Sequence, residues 1–90
     1  MTSLPLSRAY LEEVRKRCEA ATPGPWISFI EGRDHTSGDS VIVRGINHSE
    51  EDLYLTGGTE ADQDFIAHAR QDIPLLLEQI DRLRKLLKGD

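Results

Sequence analysis

The chain has 90 residues, of which 38% are hydrophobic and 30% charged, and it carries a formal net charge of −5. This length allows a single domain spanning residues 1–90, and the composition is typical of a folded globular protein rather than a disordered chain. The acidic balance argues against a protein that binds duplex nucleic acid, because such proteins present a basic surface.

The first predicted element is a helix from Ser7 to about Ala20. Its apolar residues recur at steps of three and four: Leu11, Val14, Cys18 and Ala21. The helix must end near there, because Thr22 precedes a proline and such a residue favours extended backbone. The segment Pro23–Pro25 cannot be helical, since two N–H donors are missing and two φ angles are restricted. We expect Cys18, on the apolar face, to be buried.

Three short β-strands are predicted in the middle of the chain. "WISFI" (Trp26–Ile30) and "SVIVR" (Ser40–Arg44) are rich in β-branched or aromatic residues, and "DLYL" (Asp52–Leu55) is a weaker third candidate. Polar segments at 31–39 and 45–51 separate them. The pattern predicts a three-stranded antiparallel meander with one face to be covered.

Two helices are predicted after the meander. Thr59 is a good N-cap, and acidic residues in the following turn suit the helix dipole. The segment Asp72–Pro74 interrupts this helix, since Pro74 is best tolerated in the first turn of a new helix. The second helix runs from Ile73 to about Lys88. The predicted order is α-β-β-β-α-α, and the fold class is α+β.

The last predicted helix carries a row of apolar residues with heptad-like spacing: Ile73, Leu76, Ile80, Leu83 and Leu87. One interpretation is that the domain's own core against the first helix is filled by Leu76, Leu77, Ile80 and Leu83. The other is that a second subunit buries the leucines extending past the area that a small sheet can cover, namely Leu83, Leu86 and Leu87. We expect a homo-oligomer, in the simplest case a dimer formed through these three leucines.

Trp26 is the only tryptophan in the chain, and it directly follows the proline-rich turn in "ATPGPW". In one interpretation it packs on the junction between the first helix and the sheet. In the other, the rigid turn presents the indole to a ligand, and stacking on a base is worth about 1–3 kcal/mol. Arg17, nearby in the sequence, would supply a positive charge to such a ligand.

Two further segments are candidate sites. "TGGTEAD" (56–62) places glycines before a helix N-terminus, where free N–H groups can bind phosphate, but a self-capping turn explains the same residues. In "DFIAHARQD" (64–72), Asp64 and His68 share one helix face. They are either a general base with its orienting carboxylate or a surface ion pair, and His68 with Arg70 could also meet an anion. No nucleophile accompanies them, and we expect a protein that is not an enzyme.

The remaining patterns concern metals and location. The histidines, His35, His48 and His68, are scattered without zinc-ligand spacing, and the acidic residues of the loops lack calcium-loop spacing, so we expect no metal and no cofactor. One cysteine allows no intrachain disulfide, which suits a reducing cytoplasm. No apolar run is long enough for a signal peptide or a membrane span. We expect a cytoplasmic protein without membrane contact.

Two motifs resemble those of small bacteriophage and prophage proteins, a group that includes the Ead-like phage early proteins. They are "CEAATPGPW" and "ADQDFIAHARQDIPLLLEQIDRLRKLL". In that group an Ala-Thr-Pro-Gly-Pro-Trp turn near the N-terminus precedes a variable β middle. A C-terminal helix pair with the pattern Ala-Asp-x-x-Phe-Ile-Ala-x-Ala-Arg-x-Asp-x-Pro-x-Leu-Leu follows. The resemblance covers both ends of the chain and leaves the β middle uncovered.

The resemblance implies a phage accessory protein in the cytoplasm of a host bacterium. Oligomeric phage proteins of this size include sponges that sequester cyclic nucleotide signals of host defence. The implied function is therefore binding of a small nucleotide without hydrolysis. The alternative is a protein-interaction module that occupies a host protein through its leucine-rich C-terminal helix and acidic loops.

The ligand-binding residues that the resemblance implies are those of the motifs and nearby arginines: Arg17, Thr22, Pro23, Trp26, Arg44, Phe65, His68, Arg70 and Asp72. Trp26 would stack on a base. Phosphate would be bound by Arg70, together with Arg17 or Arg44. Asp72 or Thr22 would form hydrogen bonds with the base or the ribose.

Overall fold

The structure, a computed structural model, describes residues 7–36, 39–45 and 50–88. In chain order it contains α1 (Arg8–Ala20), β1 (Trp26–Phe29), β2 (Val41–Arg44) and α2 (Glu60–Lys88). The predicted α+β class is confirmed as a helix, a two-stranded antiparallel sheet and a long C-terminal helix. The polar segments predicted between the strands fall partly outside the described residues.

The first helix follows the local signals in its sequence. The Ser7 side-chain oxygen accepts a hydrogen bond from the backbone N–H of Tyr10 at 3.0 Å, which caps the N-terminus. At the other end Ala21 is extended, and its N–H donates to the carbonyl oxygen of Arg17 at 3.2 Å. Proline two residues further on prevents continuation. The helix therefore has the length that the sequence predicts.

The sheet consists of β1 and β2, and the predicted third strand is reduced to a single bridge. Trp26 lies opposite Arg44, and Phe29 lies opposite Val41. In place of a third strand, Leu53 forms one antiparallel bridge with Ile42, with N···O distances of 2.8 and 2.9 Å. The residues before Leu53 are all acidic (50–52), and Asp and Glu are poor strand formers. The described part of the sheet is thus two strands plus one bridge.

The C-terminal region is one helix, α2, where the sequence predicted two. It begins with a capping box: Thr59 Oγ1 accepts from the N–H of Asp62 at 3.0 Å, and Asp62 Oδ2 accepts from the N–H of Thr59 at 2.9 Å. Pro74 lies inside the helix. The predicted interruption at Asp72–Pro74 is not found, although a proline removes one helix hydrogen bond. Beyond the proline, the buried side chain of Leu77 lies near Arg15 and Cys18 of α1, and such tertiary packing favours a helix that continues through Pro74.

The core lies where α2 meets both the sheet and α1. Its buried apolar residues are Leu11, Ile30, Ile42, Val43, Ala67 and Leu77. The expectation that Leu76 and Leu83 fill this core is wrong, because they are 60% and 56% exposed, and Ile80 is only half-buried. Successive helical residues point about 100° apart, so the face that buries Leu77 leaves Leu76 in solvent.

A buried amide joins α2 to the sheet. Gln63 is buried, and its Nε2 lies 2.9 Å from Ser28 Oγ, 3.2 Å from the carbonyl oxygen of Phe29 and 3.0 Å from that of Val41. A buried polar side chain must find such partners, and these come from both strands. Gln63 therefore sets the position of α2 across the sheet.

Candidate functional site

The "ATPGPW" turn is held by side chains that converge on Thr22. The carbonyl oxygen of Thr22 accepts from Trp26 Nε1 at 3.0 Å and from Arg70 Nε at 2.8 Å. Its hydroxyl oxygen accepts from Arg44 Nη1 at 2.8 Å. The turn is thereby tied to both α2 and β2, and the indole has a defined orientation. Trp26 is half-buried, so part of the indole stays accessible to solvent.

The backbone of Trp26 is held by one residue of α2, Gln71. The Trp26 N–H donates to Gln71 Oε1 at 2.8 Å, and Gln71 Nε2 donates to the Trp26 carbonyl oxygen at 3.2 Å. The turn lies close to α2 at Gly24. A Cβ atom at this position would lie 3.3 Å from Gln71 Oε1 and 3.6 Å from Arg70 Cγ. Glycine within the turn therefore allows α2 to reach β1.

Arg44 lies against the indole as a result of the strand register. Since Arg44 is the cross-strand partner of Trp26, its guanidinium carbon comes to 5.8 Å from the centroid of the Trp26 ring. This is a cation–π distance. The Nε of Arg44 also donates to the carbonyl oxygen of Glu51 at 3.0 Å. One face of the indole is thus covered by the protein's own arginine.

A pocket of about 230 Å³ lies beside Trp26, between α1 and α2. Its wall is mainly apolar and includes Val14, Ala21, Ile66, Ala69 and Ile73. Arg17 and Arg70 also line it, and among the residues that the structure describes no aspartate or glutamate does. We call this space the indole pocket. A half-buried aromatic ring with two guanidinium groups and no carboxylate suits a planar, negatively charged ligand.

Cys18 also lines the indole pocket. The expectation that Cys18 is buried is wrong, because the residue is only half-buried. The α1 face that carries Cys18 is only partly covered by α2, and the pocket is the uncovered part. The apolar spacing predicted the correct face of α1. Which part of that face stays uncovered depends on how α1 and α2 cross.

Some of the predicted ligand-binding residues meet at this place and some do not. Those that line the indole pocket or contact Thr22 and Trp26 are Arg17, Arg44 and Arg70. Pro23 is exposed. Three others are exposed on α2: Phe65, His68 and Asp72. Around the helix axis they lie about 140–160° from Arg70, so they face away from the indole pocket. The C-terminal motif is thus divided between two faces of one helix.

Asp64 is engaged by an arginine that the sequence analysis missed. Its oxygens accept from Arg33 Nη1 at 2.9 Å and Nη2 at 3.1 Å. Hydrogen bonding from Arg33, and then from Ser28, lowers the pKa of Asp64 to about 2. Arg33 also bonds Asp34 and holds the pKa of that carboxyl below its ordinary value. The Asp64 carboxylate, which in one of the two interpretations orients His68 as a general base, ties the loop after β1 to α2 through Arg33.

The other candidates from the sequence offer less. The capping box at Thr59 uses the N–H groups of Thr59 and Asp62, which favours the self-capping interpretation of "TGGTEAD". Among the residues that the structure describes, no cluster of histidine, cysteine and acidic side chains is grouped to hold a metal, and His48 lies outside them. In the same part of the chain, no helix has both the length and the apolarity needed to cross a membrane.

A second groove, about 330 Å³ in volume, lies at the other end of α1. Its basic residues are Arg8, Arg15, Arg84 and Lys85. Two carboxylates also line it: Asp81 accepts from Arg15 at 2.8 Å, and Glu12 lies 3.5 Å from the same guanidinium. Hydrogen bonding and charge from Asp81 raise the pKa of Arg15. These acids offset the positive charge, and the lining that the structure describes contains no aromatic ring, so the indole pocket is the better ligand site.

Fold and site together define a small α+β protein with an aromatic, arginine-lined surface pocket. Comparisons with protein-family models, with curated proteins and with solved structures found no match for this chain. Function is therefore inferred from the geometry around Trp26.

Proposed function

We propose that this protein binds a small nucleotide in the indole pocket and holds it without breaking a bond. The supporting observation is a half-buried indole beside a cavity whose described lining contains two arginines and no carboxylate. The chain contains 16 aspartates and glutamates. Their absence from the lining of this pocket removes the nearest repulsion that an anionic ligand would meet.

The size of the pocket indicates how a nucleotide would lie. Pockets for drug-sized ligands usually span about 300–1,000 Å³, and the indole pocket, at about 230 Å³, is smaller. It suits one planar base, with the sugar and phosphate extending over the rim. Arg70 donates its Nε to Thr22, and its two Nη groups supply further donors of the geometry that phosphate prefers. Arg17 supplies a second positive charge.

The chemistry of the lining supports binding rather than turnover. In the described part of the pocket wall, Cys18 is the one titratable side chain besides the two arginines, and no histidine or carboxylate there could act as its base. The resemblance to phage accessory proteins supplies a biological setting for such a site. A protein that holds a cyclic nucleotide signal intact lowers its free concentration in the host cytoplasm.

The test uses the single tryptophan as its own reporter. Cyclic di-AMP, cyclic di-GMP and cyclic triadenylate are titrated while Trp26 emission and melting temperature are recorded, with AMP as the linear comparison. Loss of a charge-assisted hydrogen bond costs about 1.5–3 kcal/mol, so Arg17→Gln should weaken binding by about ten-fold or more. Arg82→Gln, an exposed change on α2 outside the pocket, should leave affinity unchanged.

Two results would count against the proposal. If none of the three cyclic nucleotides changes the emission or the melting temperature at millimolar concentration, the proposed ligand class is wrong. If mass spectrometry recovers cleaved nucleotide after incubation, the protein is an enzyme and the non-hydrolytic part is wrong.

The exposed leucines of α2 favour a second candidate, a protein-interaction module. Large apolar side chains that remain in solvent are Leu75, Leu76, Leu83, Leu86 and Leu87. Extended apolar surface of this kind marks contacts with proteins. Nucleotide titration separates the candidates, since only the first predicts a rise in melting temperature with nucleotide.

A further inference from the structure

The second groove, at the N-terminal end of α1, is positively charged in a chain whose net charge is negative. Four of the chain's 11 lysines and arginines line it together with two carboxylates, so its described lining carries a net charge of +2, against −5 for the whole chain. The four basic residues are Arg8, Arg15, Arg84 and Lys85. We call this cavity the basic groove. Its volume, about 330 Å³, is that of a pocket for a small ligand.

Two antiparallel helices build the basic groove. Arg15 Nη2 donates to Asp81 Oδ2 at 2.8 Å, and this bond fixes where α1 and α2 meet. Arg8 precedes Arg15 by seven residues, which is about 10 Å along α1. Lys85 follows Asp81 by four residues, which is about 6 Å along α2. Because the helices run in opposite directions, Arg8 and Lys85 both lie beyond the ion pair, at the same end of the two helices, and both line the groove.

The two carboxylates of the basic groove offset its charge only in part. Both engage the same guanidinium, since Asp81 accepts from Arg15 at 2.8 Å and Glu12 Oε1 lies 3.5 Å from Arg15 Nε. These three residues together carry one negative charge, and the other three basic residues bring the described lining to +2. A cleft in which one sign of charge dominates raises the local concentration of ions of the opposite sign.

The position of Arg8 is one that helix electrostatics does not favour. Arg8 is the first residue of α1, where the helix dipole is positive and acidic residues stabilise. The first turn of α1 contains no acidic residue, whereas that of α2 contains Glu60 and Asp62. Lys85, near the C-terminal end of α2, suits the dipole of its helix. A bound anion would remove the repulsion between Arg8 and the positive end of α1.

We infer that the basic groove binds a small anion with two or more linked phosphate groups, held by Arg8, Arg84 and Lys85 at the positive end of α1. A guanidinium donates paired hydrogen bonds to phosphate oxygens, and an ammonium adds a compact positive charge. Linked phosphates can contact several of these groups at once. The described linings of the basic groove and the indole pocket share no residue, so this inference does not rest on the function proposed above.

The test titrates tripolyphosphate at physiological salt while melting temperature and the heat of binding are recorded. Two charge-assisted hydrogen bonds contribute about ten-fold each to affinity, so Arg8→Gln/Lys85→Gln should weaken binding by about 100-fold. The matched control, Lys16→Gln/Arg82→Gln, removes two positive charges from exposed positions of the same two helices outside the groove. It should bind nearly as tightly as wild type, because salt screens distant charges. Circular dichroism checks that each variant is folded.

Two results of this titration would overturn the inference. One is a wild-type chain that shows neither heat of binding nor a rise in melting temperature at millimolar tripolyphosphate. The other is equal weakening in the two double variants, which would show attraction by overall charge and no defined site.

A second measurement locates the bound phosphate, because the indole pocket also contains arginines. Tripolyphosphate in the basic groove should leave Trp26 emission unchanged, and Arg17→Gln should keep the wild-type affinity. An emission change that Arg17→Gln abolishes and Arg8→Gln/Lys85→Gln retains would place the anion in the indole pocket and overturn the groove site. Tripolyphosphate binding that depends on Arg8 and Lys85, without nucleotide binding at Trp26, would remove the proposed function and leave this site in place.

Discussion

Gln71→Ala tests whether α2 holds the "ATPGPW" turn in place. The change removes two hydrogen bonds between elements, at 2.8 Å to the N–H and 3.2 Å to the carbonyl oxygen of Trp26. Each such bond contributes about 0.5–1.5 kcal/mol net, so the free energy of unfolding should fall by about 1–3 kcal/mol. In a domain of this size, 1 kcal/mol corresponds to about 4–8 °C in melting temperature.

The matched control is Gln79→Ala, the same change at an exposed position of the same helix. Alanine has a higher helix propensity than glutamine, and this stabilising effect is the same in both variants, so it cancels when they are compared. Urea unfolding followed by Trp26 emission and by circular dichroism at one protein concentration gives the difference directly. Equal unfolding midpoints for the two variants would show that the amide of Gln71 does not hold the turn, and the account of how Trp26 is positioned would fail.

Other changes probe the core, one turn and one ion pair. Ile42→Ala, at a fully buried side chain, should lower the free energy of unfolding by about 2–5 kcal/mol in urea titration. Gly57→Ala meets no atom within 4 Å but keeps a φ of +86°, so backbone strain alone should cost about 1 kcal/mol, and an unchanged urea midpoint would refute this. Asp64 has a pKa of about 2 against an ordinary 3.8, so its pair with Arg33 stabilises the fold fully above about pH 4 and is lost as pH falls toward 2. Asp64→Asn should therefore lose less melting temperature than wild type between pH 4 and pH 2, and identical losses would contradict the assignment.

The candidate site consists of residues that local sequence patterns single out and of contacts between residues far apart in the chain. The sequence placed Trp26 at a rigid turn next to a predicted strand and drew attention to Arg17, Arg44 and Arg70. Their meeting depends on contacts between residues far apart in the chain, such as Arg70 with Thr22. No sequence pattern marked Gln71, which holds Trp26, or Arg33, which binds Asp64. The sequence does not show whether a polar side chain is solvated or forms a hydrogen bond with a distant residue.

The sequence by itself determined where α1 begins and ends, where the chain turns before β1, and how α2 is capped at Thr59. These features depend on side chains and backbone groups within about four residues of each other, so the local order of residues is sufficient. Tertiary structure alone decided that α2 continues through Pro74, that Leu77 is buried while Leu76 is exposed, and that a pocket opens beside Trp26. Apolar periodicity shows that a helix has an apolar face, but which part of that face is covered depends on where α1 and the sheet pack against it.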